Sequence, residues 1–142
     1  MATADVTDLA RRHDEAFNSH DADGRMAIEA REVEVLYPGG LTLRGREQVL
    51  GMVQAFWEAL PDGKISVDAH ASAGDAVFVE GTLTGTHTGA FITPQGVIPA
   101  SGNAINVRYT AVKRFRDGQL VSEHLYFDQL EFLQQLGAMP AP

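Results

Sequence analysis

The chain has 142 residues, of which 44% are apolar and 21% charged, the balance of one soluble domain with one core. Eleven Lys and Arg against nineteen Asp and Glu leave a net charge of −8, a field that disfavours nucleic acid and anionic membrane as partners. The absence of cysteine excludes disulfides, thiolate nucleophiles, iron–sulfur clusters and Cys-type zinc sites. MATADVTDLA carries no signal pattern and no apolar run is long enough to span a membrane, so a cytoplasmic protein is expected.

In chain order, Val6, Leu9, Ala10, Ala16 and Phe17 follow helical spacing, with Asp5 or Thr7 as a cap. Asp21 or Asp23 caps a short second helix running to Ala30. VEVLYP (33–38) reads as a strand, the glycines at 39–40 as a turn, and LTLRG (41–45) as its partner. A third helix covers Arg46 to Leu60, with Val49, Leu50, Val53, Phe56, Trp57 and Leu60 on one face, and Pro61, Asp62 and Gly63 end it. The period then changes to two. Residues 64–72 and 76–87 are strands, TGAFITPQGVIPASG (88–102) bridges to a long strand over 103–116, and 119–128 returns from an Asp117-Gly118 hairpin turn. QLEFLQQL (129–136) is a last helix ending at Gly137. Helices first and a mostly antiparallel sheet second give an α+β fold.

A two-residue turn at Asp117-Gly118 sets a register in which Ala111 faces His124, Tyr109 faces Tyr126 and Val107 faces Asp128. A bulge would shift it by one residue and mix the faces. In the unshifted register Val107, Tyr109, Ala111, His124, Tyr126 and Asp128 share one face, an apolar surface with a few polar groups, as ligand sites have. The other face, which carries Arg108, Glu123, Leu125 and Phe127, is also partly apolar and is expected to pack against a second copy in a homodimer. His124 and Asp128 lie about 13 Å apart along a strand and form no dyad.

Several residues also have plain structural readings. Asp128 and Glu131 make a capping box for the last helix, worth ~1 kcal/mol. His87 sits among glycines at a strand end, where a histidine often stabilises a loop. His124, Tyr109 and Tyr126 read as wall or core residues, and Trp57 as core or pocket wall. His13, His20 and His70 have no metal-ligand spacing and there is no HExxH motif, so no metal is expected. GxSxG, GxGxxG and phosphate-loop motifs are absent.

GTHTG (85–89), the Pro-bearing loop after it, RDGQL (116–120), YFDQLEFLQQLG (126–137) and the early FNSHDADG (17–24) together resemble the SnoaL-like polyketide cyclases of the nuclear transport factor 2-like superfamily. The resemblance spans nearly the whole chain. It implies a curved sheet wrapped around helices into a cone-shaped pocket. It also implies that Asp128 is a general acid/base for aldol-type ring closure without metal or cofactor, with His87 at the family's histidine. Tyr109 and Ala111 stand where the cyclases carry a Gln and a His, and Tyr37 stands where they carry an Asn. The expected function is therefore a cofactor-free cyclase or isomerase acting on a hydrophobic carbonyl compound. Asp128 and His87 are its catalytic candidates, and Tyr109, Tyr126, His124, Trp57 and Tyr37 its substrate-binding ones. A non-catalytic small-molecule-binding module is the alternative. An epoxide hydrolase ranks last, since no arginine and second carboxylate can be placed facing Asp128.

Overall fold

The computed structural model describes residues 5–140. Helix α1 (Val6–Asn18) is capped by Asp5, whose carboxylate accepts from the Thr7 N–H, and α2 (Ala22–Ile28) by Asp21, which accepts from Gly24. Strands β1 (Glu29–Tyr37) and β2 (Leu41–Arg44) precede α3 (Arg46–Ala59). The second half runs β3 (Lys64–Ala73), β4 (Ala76–Thr86), a small hairpin β5 (Phe91–Thr93) and β6 (Gly96–Ile98), β7 (Ala104–Arg116), β8 (Gln119–Phe127) and α4 (Gln129–Gln135). The second helix is shorter than expected: Glu29 and Ala30 already belong to β1. The segment expected only to bridge, 88–102, holds its own hairpin.

Six strands form a curved sheet in the order β2-β1-β8-β7-β4-β3, antiparallel except where β1 meets β8. This is the α+β architecture expected. The core lies between the sheet's inner face and the helices, and includes Leu9 of α1, Val33 and Val35 of β1, Val49 and Met52 of α3, Val77 and Val79 of β4, and Phe115 and Leu120 at the last hairpin. Burying such side chains stabilises by roughly 1.5–3 kcal/mol each.

The last hairpin corrects the expected register. Asp117 and Gly118 both take positive φ, as a tight type I′ turn demands, and Phe115 faces Leu120 as expected. Beyond that pair the register shifts, because Arg114 faces Ser122 and Val121 is the extra residue of a bulge. Every later pair moves by one: Lys113 faces Glu123, Val112 faces His124, Ala111 faces Leu125, Thr110 faces Tyr126 and Tyr109 faces Phe127. Glu123, Leu125 and Phe127 therefore turn inward with Tyr109, while His124 and Tyr126 lie on the outer face.

The hairpin segment is fastened at its base. The Gly89 N–H donates to the Ala59 carbonyl at 3.2 Å, and a Cβ at position 89 would collide with the backbone oxygen of Glu58. Gly89→Ala is expected to lower stability by about 1–3 kcal/mol in urea denaturation, because that carbonyl belongs to a helix end and cannot withdraw.

Candidate active site

Between the sheet and α1, α3 and α4 lies a cavity of about 90 Å³. Its walls are mainly aromatic and aliphatic: Phe17, Phe56, Tyr37, Leu83, Val107, Tyr109, Leu125, Phe127 and Phe132 are among them. The rings pack on one another. Phe56 lies 6.0 Å from Phe132 and 6.3 Å from Tyr37 between ring centroids, and Phe132 meets Phe127 edge-on at 5.7 Å. Phe91 of the small hairpin backs this wall, 5.0 Å from Phe56. Drug-sized sites run to roughly 300–1,000 Å³, so this one suits a compact ligand.

Three charged side chains interrupt the apolar lining: Asp14 of α1, Arg25 of α2 and Glu123 of β8. They belong to a buried cluster centred on Lys113 of β7, which is 1% exposed. The Lys113 ammonium donates to His13 Nδ1 at 2.7 Å and to Asp14 Oδ1 at 2.7 Å, and lies 3.2 Å from Glu123 Oε2. A lysine ammonium has no acceptor, so His13 Nδ1 accepts and a neutral ring carries its proton on Nε2. That Nε2–H donates to Glu29 Oε2 at 2.9 Å. Arg25 donates to the His13 carbonyl at 3.3 Å and stands 3.8 Å from Glu29 and 4.0 Å from Glu123.

The surroundings shift several of these groups. Burial, reinforced by the positive charges of Arg25 and Lys113, pushes His13 well below its usual range and keeps the ring neutral. Burial raises the Glu29 carboxyl to about 7, and Glu123 adds to the rise. Burial also raises the phenols of Tyr37 and Tyr109, helped by Glu123 at the first and Asp14 at the second, so both remain protonated at neutral pH. The Tyr109 hydroxyl lies against Gly81, where a Cβ would stand only 2.7 Å from it, and it has no hydrogen-bond partner among the described residues.

Of the residues singled out in the sequence, Tyr37 and Tyr109 line the cavity and the others stand elsewhere. Asp128 is an exposed N-cap of α4 whose carboxylate accepts from the Glu131 N–H at 3.1 Å. His87 is fully buried at the base of the 88–102 segment, where its Nδ1 meets the Ser101 hydroxyl at 2.9 Å and accepts from the Ser101 N–H at 3.3 Å. Trp57 donates to the Phe17 carbonyl and stacks on His20 at 4.8 Å. The bulge carries His124 and Tyr126 to the outer face, and Tyr126 is 57% exposed. Asp14, Arg25 and Lys113 carry no motif in the sequence, His13 has no ligand spacing there, and Glu123, expected on the outer face, turns inward through the bulge. Their signal was present as polar residues inside apolar patterns: His13 and Asp14 interrupt the buried stripe of α1, and Lys113 interrupts the inward alternation of β7.

A curved, mainly antiparallel sheet closed by helices over an apolar cavity defines an α+β cone with an internal pocket. Comparison narrows this: residues 7–136 match the family described as SnoaL-like polyketide cyclase, and the chain belongs to that family. A candidate SnoaL-like polyketide cyclase from Jannaschia sp. CCS1 superposes with a TM-score of 0.84 at 21% identity, covering 95% of this chain and 93% of that one. IdmH from Streptomyces antibioticus, a candidate polyketide cyclase, gives 0.77 at 28% identity over 93% and 98%. A protein from Catenulispora acidiphila with a ketosteroid isomerase-like fold, in complex with trimethylamine, gives 0.74 at 20% over 92% and 93%. Among curated proteins none has significant sequence similarity to the chain. No helix among the described residues is long and apolar enough to cross a membrane.

The two shifted groups act on stability in opposite senses. The Glu29 carboxyl binds its proton more tightly folded than unfolded, so its contribution is full below about 4.5 and is lost as pH rises through 7. The His13 ring binds its proton less tightly folded, so its contribution is full above 6.5 and is lost as pH falls. Glu29→Gln removes only the first. Relative to that variant, the parent protein is expected to lose stability by up to ~3 kcal/mol between pH 4.5 and 7.5, read from urea denaturation across pH.

Proposed function

We propose that the chain is a proton-transfer enzyme of the cyclase or isomerase type, acting without a cofactor on a compact hydrophobic carbonyl compound in the Phe56–Tyr109 cavity. One observation carries this reading: an aromatic cavity is interrupted at one place by two carboxylates and a guanidinium. Asp14 has one oxygen tied to Lys113, while its second takes no hydrogen bond from the described residues, which suits a base. Arg25 commits a single N–H to the protein among the described residues, leaving donors for the oxygen of an enolate. A base and an oxyanion donor sharing a low-dielectric cavity are the two parts that deprotonation next to a carbonyl requires. The relative holding trimethylamine supports small-molecule binding by this fold.

In this reading Asp128, the acid/base implied by family resemblance, serves as a helix cap, and the carboxylate chemistry moves to Asp14 and Glu123. Exchange of the α-protons of cyclohexanone in D2O, followed by NMR, separates these roles. The expected result is exchange faster than buffer in the parent protein and in Asp128→Asn, with loss of most of that rate in Asp14→Asn. Loss in Asp128→Asn alone would return the role to Asp128. No acceleration in the parent would leave a binding module instead. A second reading has its own observation: Arg25 stands between Glu29 and Glu123, the carboxylate–guanidinium–carboxylate set that water addition to an epoxide needs. Diol formation from cyclohexene oxide by the parent protein, with loss in Glu29→Gln and in Glu123→Gln, tests it.

The partner this reading includes is a second copy of the chain. Leu36, His124, Val112, Phe78 and Ala71 face one another across five strands on the sheet's outer side, and Phe78 is 40% exposed. Such a continuous row suits a face that is covered by its own likeness in a two-fold dimer. Sedimentation equilibrium is expected to give a dimer that Phe78→Glu converts to monomer, and a monomeric parent would remove the homodimer from the proposal.

A further inference from the structure

His13 and Asp14 of α1 and Glu123 of β8 bring three ligand atoms within 4.8 Å of one another. One imidazole and two carboxylates form a donor set that holds zinc or a similar first-row divalent ion, with a fourth position open. The place between them is filled by Lys113, whose Nζ lies 2.7 Å from His13 Nδ1, 2.7 Å from Asp14 Oδ1 and 3.2 Å from Glu123 Oε2. We propose that Lys113 is a tethered cation standing in a three-ligand metal-type site, and that removing its side chain opens that site to a divalent metal ion.

The surroundings support this assignment. Zinc–nitrogen and zinc–oxygen bonds of roughly 2.0–2.2 Å require each ligand to close in by about 1 Å or less. Glu29 accepts from the far nitrogen of His13 and so fixes the ring with Nδ1 inward, the outer support that metal-binding histidines use. Asp14 and Glu123 also line the cavity, so an ion held between them would border it. Arg25, 4.0 Å from Glu123, is the remaining cation near the ligands. In the parent protein Lys113 is a positioning residue: it occupies one oxygen of each carboxylate and leaves the second oxygen of Asp14 for the cavity. The assignment goes beyond the proposed reaction, and its readout is metal binding rather than turnover, so either can fail alone.

The test compares the parent with Lys113→Ala, Lys113→Met and a His13→Ala/Lys113→Ala double variant in excess ZnCl2. Thermal unfolding of Lys113→Ala is expected to rise by roughly 5–10 °C on saturation. Isothermal titration is expected to give one zinc per chain. Lys113→Met is expected to respond less than Lys113→Ala, because its terminal methyl takes the place of Cε, one atom short of Nζ, and crowds the site, and the parent and the double variant are expected not to respond at all. If Lys113→Ala is unfolded without metal, folding on addition of zinc is the same result. No response of Lys113→Ala, failure of zinc to fold it, or an equal response in the parent or the double variant would overturn the assignment.

Discussion

The Lys113 ammonium joins parts of the chain that are a hundred residues apart: its bonds to His13 and Asp14 tie the first helix to the centre of the sheet, and its contact with Glu123 ties β7 to β8. Taking these charges out of water is costly, and the attraction within such a cluster repays the cost only when every group has a partner. Each group here does: His13 is held between Lys113 and Glu29, and Arg25 stands beside both Glu29 and Glu123. On stability alone an apolar side chain of similar volume would serve about as well. What it would not supply is a pair of carboxylates fixed at the edge of an aromatic cavity, and that is the difference a binding or catalytic site needs.

The apolar part of the site follows from a different constraint. Phe56, Phe127 and Phe132 come from α3, β8 and α4, and their rings meet because the last strand delivers α4 back over the cavity. Asp128 matters at that junction, since capping α4 fixes the angle at which Phe132 enters. Phe91 adds a ring from the small hairpin, whose two ends are clasped by His87 and Ser101. Several residues that look like chemistry in the sequence thus hold the container, and the charged groups inside it come from helices and strands that the motifs do not mark.

The fold was largely legible because its signals are local. Asp5 and Asp21 cap the helices expected of them, the Asp117-Gly118 turn closes its hairpin, and the change of period from helical spacing to alternation marks where the sheet begins. The site was less legible because it is assembled from interruptions of those same patterns. His13 and Asp14 lie on the buried stripe of α1 between Ala10 and Ala16, and in a purely apolar reading they look like surface residues. Nothing in the spacing of α1 announces that Lys113, on a strand near the far end of the chain, will meet them. Buried polar groups require partners, so two or more polar interruptions of core patterns are the sequence-level sign of a buried cluster. That rule identifies the participants but not their pairing.

The bulge at Val121 shows why pairing needed the structure. One additional residue in β8 leaves the turn and the first two pairs of the hairpin intact, yet decides which of two adjacent residues faces inward from there on. Without it, His124 and Tyr126 would line the cavity and Glu123 would face outward. With it, Glu123 stands opposite Lys113 inside, and His124 joins Val112 and Phe78 on the outer face. The same nine residues of β8 therefore serve two surfaces, the cavity and the outer side of the sheet, and their division rests on a single insertion. A substitution at Glu123 or at His124 accordingly tests different parts of the molecule, although the two are neighbours in the chain.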